Sequence, residues 1–593
     1  MTATLSATST ENLPAAAVVA VTVLTLVLGS FGLRYARTTS NFFVASRAIH
    51  PRWNAFAVCG EAMSAASFLG VPALVLVFGV DMLWALVGWT IGFLLLSLFI
   101  AAPLRRFGSY TIPEFVEGRL DAPRLRPIVA ALVFVSSWFF LLAQLKGAGV
   151  VVRELVGTPY WVGVVAVGVL VAANLSAGGM RGITFVQGFQ FFFIFLGILV
   201  PFVFIAGTWL GDDGNGLADS EFPTFDETTE VVYERDVMIA VAVDVTVEAD
   251  ARIDGVAVDG PVRLEVGDHD ITAGSELVWP AGSRAPHAAG IDPMTGEEWA
   301  EPLGSSSIGG GYPLYFSIAI LLANMFGIMG LPHIVSRFYT NPTGREARRT
   351  NVWVLALIAP YYAMLPLFGA VGRSEAPELL GNGATDSATV VAVDRVFDGI
   401  GSDVLTSFVA AGASAAFLST ASGLLIAMAG AVSHDVLKAG VPQFRAAVWV
   451  GAAVSIGAGL LVESFDINVL IGWSTSIAAS SICPLLVLGV WWPGFTRRGA
   501  FAVAVIGGGL STAAALLSML RVVETGWPFA VLSLPAVWSV PLAFISGILV
   551  SRFDSRPVAD LGHKFALMHV PERRDEQTFE TPSSITSDEA TAR

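Results

Sequence analysis

Apolar runs close to the ~20 residues that cross a ~30 Å hydrocarbon core recur along this chain. They fall at about 14–34, 54–77, 82–103, 127–149, 158–176, 183–209, 313–334, 351–371, 403–432, 445–462, 467–492, 500–520 and 529–551. The pattern predicts an all-α polytopic membrane protein of thirteen transmembrane helices, its termini on opposite sides. The first run follows a Ser/Thr-rich leader without a cleavage site and is expected to be a retained helix. The longest polar gap, 210–312, alternates as a strand does over Val241-Ala242-Val243-Asp244-Val245-Thr246-Val247. Asp254-Gly255 and Asp259-Gly260 are its turn signals. A small β-module is expected there, with a transport core that closes without it.

Composition supports the membrane assignment. Only 14% of the 593 residues are charged and 54% are hydrophobic, with a mean hydropathy of +0.69. A soluble protein carries about 25% charged residues, so a soluble enzyme is excluded. None of the seven histidines sits mid-span, which argues against a haem-bearing redox protein. Cys59 and Cys483 lie in apolar runs, so no loop disulfide forms, and no CxxC motif is present.

Charge sets the orientation. With the N-terminus outside, 24 of the 33 Lys and Arg residues fall on the inside, as the positive-inside rule asks. A multi-pass plasma-membrane protein with a cytoplasmic C-terminus is expected. The long gap carries 22 Asp and Glu against 4 Arg over 211–312. A solvated surface explains this better than Ca²⁺ binding, because no EF-hand-like spacing occurs.

Polar side chains inside lipid-spanning runs are costly and tend to mark function. The second run carries Gly60-Glu61-Ala62-Met63-Ser64-Ala65-Ala66-Ser67, the fourth Gln144 and Lys146, and the seventh Asn324, Gly327, Gly330 and Pro332. The ninth carries Ser414, Ser419, Thr420 and Ser422. Glycine and proline near midspan permit unwound helices whose free carbonyls coordinate ions.

These strings resemble the sodium:solute symporters, in their cation/acetate (monocarboxylate) branch. The resemblance rests on Gly60 to Gly70, Leu104-Arg105-Arg106-Phe107-Gly108-Ser109-Tyr110-Thr111 and Gly178-Gly179-Met180. It rests most on Gly330-Leu331-Pro332-His333-Ile334-Val335-Ser336-Arg337-Phe338, and on Ser419-Thr420 followed by Val432-Ser433-His434-Asp435. It covers about 40–207 and 313–500; the acidic insertion is a departure. The resemblance implies a leucine-transporter-type core of two inverted five-helix repeats, 53–209 and 313–492. Around it would lie 1–52 (leader and first helix), 210–312 (the extracytoplasmic β insertion), 493–551 (two C-terminal helices) and 552–593 (a disordered cytoplasmic tail).

The resemblance also implies a co-transported Na⁺ at Ser419 and Thr420, with carbonyls of Gly60, Met63 and Ala416. Oxygen donors of this kind suit a hard cation; the plainer alternative is hydroxyls bonded back to their own helix. Substrate contacts are expected at Ser64, Phe68, Gln144, Asn324 and Gly327. Glu61 and Lys146 are coupling candidates: Glu61 would carry a proton, assist Na⁺ or hydrogen-bond helix ends. Lys146 would pair with Glu61, meet a substrate carboxylate or snorkel to the interface. Arg337 and Asp435 are expected to pin cytoplasmic ends. The expected activity is cation-coupled uptake of a short monocarboxylate such as acetate, propionate or pyruvate, with no enzymatic role. The alternatives are H⁺ coupling, another solute such as proline or a sugar, and a non-transporting sensor. The expected partners are the carboxylate solute, the lipid bilayer and a small companion membrane protein, with no nucleic acid.

Overall fold

The computed structural model describes residues 13–30, 45–209, 222–289, 291, 293–304, 311–523, 525–554 and 558–571. Within them, each of the thirteen apolar runs is helical. Ten helices are long and apolar enough to cross a membrane. One of those stretches, Ala66–Phe107, has 42 residues, about twice a single crossing at 1.5 Å per residue. It turns at Gly79, whose φ of +64° favours glycine, and so contributes two passes. The shorter Tyr160–Ser176 and the 19-residue Val441–Gly459 complete the set.

In chain order the passes begin with α1 (Leu13–Ser30), then α2 (Pro51–Ala62) and α3 (Val71–Phe78), which together form a broken second pass. There follow α4 (Leu83–Leu95), α5 (Leu125–Val156), α6 (Tyr160–Ser176) and α7 (Gly178–Thr208). The second half opens with another broken pass, α8 (Pro313–Gly330) and α9 (Pro332–Phe338). It continues through α10 (Gly344–Glu375), α11 (Gly399–Gly430), α12 (Val441–Gly459), α13 (Ile467–Ser480) and α14 (Ile482–Trp491). Two peripheral passes, α15 (Arg497–Met519) and α16 (Ala536–Phe553), follow. A broken helix thus opens each set of five passes, the arrangement of the expected inverted-repeat core. In α11 and in the Ile467–Trp491 stretch, 89% of the most apolar window is buried, so these form the centre. In α1 only 28% is buried, which places it at the lipid-facing rim.

Both breaks have local causes. Pro332 has no N–H and pushes Leu331 into an extended conformation (φ −60°, ψ 118°), which ends α8 at Gly330. Around Met63–Ala65 side chains satisfy the backbone that the helix abandons. Gln144 Oε1 accepts from the Ala65 N–H (3.0 Å) and Ser64 Oγ accepts from the Ala66 N–H (3.2 Å). Without such partners, unpaired backbone would not survive at this depth.

The insertion forms one seven-stranded antiparallel sheet. Its strands are β1 (Thr229–Tyr233), β2 (Val237–Val241), β3 (Val245–Ile253), β4 (Val256–Leu264), β5 (Gly267–Ile271), β6 (Ser275–Trp279) and β7 (His287–Ala288). The order is β1-β6-β3-β5-β2-β7, with β4 paired to β3. Along β3, Val247, Ala249, Ala251 and Ile253 point into a core with Tyr233, Leu277 and Trp279, while Glu248, Asp250 and Arg252 face out. The β3–β4 hairpin turns at Asp254-Gly255, both with positive φ, as the sequence predicts.

Three expectations are corrected. Asp259-Gly260 is no turn: it lies inside β4, where Gly260 pairs with Ala249. The expected strand over Val241–Val247 is interrupted at 242–244, where the chain bends between β2 and β3. The expectation of disorder from 552 onward fails at a tail helix, α17 (Leu561–His569). That helix buries Met568 and ties Lys564 Nζ to Asp121 (2.5 Å) and His569 Nε2 to the Val490 carbonyl (2.9 Å). Residues 572–593 lie outside the described part of the chain.

Nor does the insertion stand apart from the core. Trp299, on a short helix (Gly296–Ala300) held by a Thr295/Glu298 capping box, donates its indole N–H to the carbonyls of Val75 (2.7 Å) and Leu76 (3.2 Å). The Leu303 N–H bonds Asp81 Oδ1 (2.8 Å), and Arg373 Nη2 bonds the Met294 carbonyl (2.6 Å). Arg153 at the end of α5 pairs with Glu234 of the module (2.6 Å).

Candidate functional site

The break in the second pass redirects backbone hydrogen bonds. In an unbroken helix the Ser64 N–H would reach the Gly60 carbonyl; here it goes to Ala62 (2.9 Å). The Ala65 N–H goes to Gln144 rather than to the Glu61 carbonyl. That carbonyl instead accepts from the Thr420 hydroxyl of α11 (2.7 Å). Ser419, the neighbouring residue, is fully buried, and its hydroxyl has no partner among the described residues. A Cβ on Gly60 would lie 3.4 Å from Ser419 Oγ. The structure therefore brings Gly60, Glu61, Ser419 and Thr420 together. Met63 sits at the break, and Ala416 lies one turn before Thr420 on α11, both fully buried.

Of the expected substrate contacts, Ser64, Phe68 and Gln144 share the region of the break. Ser64 and Gln144 brace its backbone. Phe68 is fully buried against Gly412, and its carbonyl accepts from Thr389 Oγ1 (2.7 Å). Asn324 and Gly327 face elsewhere along α8: Asn324 packs on Gly88 of α4, and Gly327 packs on Thr475 of α13.

Glu61 is paired, though not with Lys146. Arg337 Nε contacts Glu61 Oε2 at 2.5 Å, with both side chains at most 1% exposed. The guanidinium also donates to Thr184 Oγ1 (2.9 Å), to Met180 Sδ (3.2 Å) and to Gln187 Oε1. Gln187 Nε2 in turn donates to the Ser419 carbonyl (2.8 Å). Lys146 pairs with Asp386, in the loop before residues 388–396, and is buried rather than snorkelling. His333 is buried with its ring 5.1 Å from Phe140. Asp435 bonds Arg126 (3.0 Å) and Thr111 (2.8 Å), pinning a helix end as expected.

Sequence reasoning missed Gln187, Thr184 and Asp386, and placed Arg337 at a helix end without its carboxylate. An available signal for Arg337 was Glu61 itself, which needs a cation at that depth. Asp386 lies outside every apolar run and carried none.

On the module side, a cavity of about 800 Å³ separates the sheet from residues 374–398. Eight carboxylates, among them Glu154, Glu227 and Asp398, line it against three guanidiniums, those of Arg153, Arg235 and Arg395. Such walls attract cations and repel carboxylates.

Comparison with known proteins agrees with this architecture. "Uncharacterized symporter YwcA" of Bacillus subtilis (strain 168) is 27% identical over 560 residues, 91% of this chain and 94% of that protein. A solved Na⁺-coupled sialic acid symporter, in a substrate-bound outward-open state, shares the fold with a TM-score of 0.62 at 15% identity. The match covers 92% of this chain and 98% of that one. The family profile described as "Sodium:solute symporter family" matches residues 42–214 and 311–507, passing over most of the acidic insertion. Because that match takes in more than half of the sequence, the chain belongs to the sodium:solute symporter family.

Proposed function

We propose that the protein takes up a short-chain monocarboxylate, such as acetate, propionate or pyruvate, together with Na⁺ by alternating access. The carrying observation is the Thr420 hydroxyl on the carbonyl freed by the broken second pass, with the buried Ser419 hydroxyl, unpartnered among the described residues, beside it. Sodium would be held there by Ser419, Thr420 and carbonyls of Gly60, Met63 and Ala416. The carboxylate would lie by Ser64, Phe68 and Gln144; Asn324 and Gly327, which pack on α4 and α13, stand outside that contact set. The monocarboxylate choice is supported by the strings from Gly60 to Gly70 and from Gly330 to Phe338, which resemble the cation/acetate branch. In this proposal 53–209 and 313–492 are the two repeats, and 1–52, 493–551 and 552–593 are accessory. The segment 210–312 lies outside a plasma membrane, with the C-terminus in the cytoplasm.

Uptake of labelled acetate into vesicles, with and without an imposed Na⁺ gradient, tests the proposal. Gradient-driven accumulation, competed by propionate or pyruvate, is the expected result. Accumulation of proline or a sugar instead would replace the substrate, and drive by a pH gradient alone would replace the ion. Solute binding without transport would favour a sensor.

A further inference from the structure

We propose that Arg337 is a tethered counter-cation that sets the affinity of the sodium site through Glu61. This rests on the reading that Ser419 and Thr420 hold sodium, and goes beyond it by adding a positioning residue that touches neither ion nor solute.

Arg337 is 0% exposed, and its guanidinium joins three elements. It holds Glu61 of α2, the half-helix before the first break, and Met180, Thr184 and Gln187 of α7, while itself belonging to α9, the half-helix after the second break. Two of these partners also bond the sodium-site residues directly. Gln187 reaches the Ser419 carbonyl, and the Glu61 carbonyl receives the Thr420 hydroxyl.

The carboxylate stands between the two charges. Glu61 Oε2 faces Arg337, whereas Oε1 is buried without a partner among the described residues. Oε1 lies against α11: a Cβ on Gly423, one turn beyond Ser419, would sit 1.3 Å from it and would displace the Glu61 carboxylate. A cation by Ser419 would therefore meet Glu61 first and Arg337 behind it. Without Arg337 the cation would face an unbalanced carboxylate, and without the Glu61 charge it would face an unbalanced guanidinium. In a buried site either imbalance outweighs the loss of one neutral contact.

Signs follow for three variants. Arg337→Gln should lower the sodium concentration for half-saturation about tenfold, and Glu61→Gln should raise it about tenfold or more. These are conservative values for one charge at side-chain range and an effective dielectric near 20. Glu61→Gln/Arg337→Gln together, which restores neutrality, should return half-saturation to within about threefold of wild type. Arg337→Lys, keeping the charge but not the fork, should stay near wild type in affinity.

The experiment is binding of radiolabelled sodium to purified full-length protein, normalised to folded protein by size-exclusion chromatography. Binding needs no transport, so a variant that inserts but does not cycle is still read. If Arg337→Gln fails to fold, the double variant and Arg337→Lys carry the test, with Glu61→Gln for the opposite sign. Shifts of one sign in both single variants, or no shift in either, overturn the proposal, as does a double variant no closer to wild type than its parents. Ser419→Ala/Thr420→Ala keeps the two failures apart. If that pair leaves sodium binding unchanged, the site assignment itself is wrong; if it weakens binding while the charge variants misbehave, only the role of Arg337 falls.

Discussion

Trp299→Ala probes how firmly the acidic insertion is built into the transporter. The indole is 7% exposed and lies over Gly79, where a Cβ would come within 1.9 Å of the Trp299 carbonyl. Its N–H closes on the carbonyls at the end of α3, and the Arg373 guanidinium stands 5.6 Å from its ring. Removing a buried Trp costs about 3–5 kcal/mol. Here the lower end applies, because the exposed carbonyls keep other donors. Val75 retains the Gly79 N–H, and Leu76 retains Arg373 Nη1 at 3.5 Å. A loss of about 3 kcal/mol corresponds to two decades in a local opening equilibrium. The sheet has its own core around Tyr233, Leu277 and Trp279, so it should stay folded while its attachment loosens. Hydrogen exchange by mass spectrometry on the full-length protein reads this directly. The segment around Leu303, whose N–H bonds Asp81, should exchange up to about a hundredfold faster, and Val71–Phe78 should lose protection in step. Excision of residues 220–305, which the sequence alone suggests is harmless, should for the same reason reduce uptake by freeing α3. Wild-type exchange in both segments of the variant would refute the docking account.

Further outcomes are open to measurement. Ser419→Ala/Thr420→Ala removes two oxygens worth about 1.5–3 kcal/mol each to a charged partner, so half-saturating Na⁺ for uptake should rise at least about tenfold; an unchanged value refutes the site. Reporters fused after residues 250 and 345 should read outside and inside respectively, and the reverse overturns the orientation. At fixed Na⁺, carboxylate uptake should accelerate as choline chloride shortens the Debye length from about 30 to about 8 Å, if the route passes the acidic cavity; a flat response removes that cavity from the route. The Asp254–His269 contact should make the β3–β4 turn pH-dependent. The hydrogen bond from His269 (2.8 Å) holds the Asp254 pKa below its usual value, so that contribution is present above about pH 4 and lost as pH falls through the lowered pKa. Burial pulls His269 down, but its bonds to Asp254 and to the Glu265 carbonyl (2.9 Å) leave its pKa raised. Its contribution is therefore full below about pH 6.5 and lost as pH rises through the raised pKa. Protection of the Asp270 amide, bonded to Asp254 Oδ1 at 2.8 Å, should peak between these limits; equal intrinsic-rate-corrected protection at pH 5.5 and 8.5 refutes it.

Thirteen passes were legible because lipid leaves few alternatives for an apolar run of this length. The breaks were legible for the same reason, since Gly60, Ser64, Gly330 and Pro332 are poor continuations of a buried helix. Strand register was not. Asp259-Gly260 carries the same local turn signal as Asp254-Gly255, and only pairing with Ala249 and Asp250 across the hairpin decides between them. Side-chain partners across the bundle were hidden for a related reason. Arg337 stands near a span end, where an arginine ordinarily reaches toward water. It turns inward because Glu61 and Gln187, some 150 or more residues earlier, present acceptors there. Trp299 lies in the polar gap between apolar runs, and nothing local to it marks the Val75 and Leu76 carbonyls, more than 200 residues earlier, as its partners.

The two buried ion pairs acquire meaning from where they stand relative to the unwound residues 63–65. Glu61 lies two residues before that break, and its pair with Arg337 ties together the half-helices remote from the β-module. Lys146 pairs with Asp386 on the module side, and the next residue, Gly147, lies so close to the break that a Cβ there would come within 2.8 Å of Ala65 Cβ. Both pairs are made at once, so each side of the break is tied by a buried ion pair. Breaking a buried pair without compensation costs about 3–5 kcal/mol, so each pair holds together the elements it joins. Under the proposed function a sodium ion by Ser419 would add positive charge beside Glu61, and a carboxylate by Gln144 would add negative charge near Lys146, where Asp386 and Asp466 already stand.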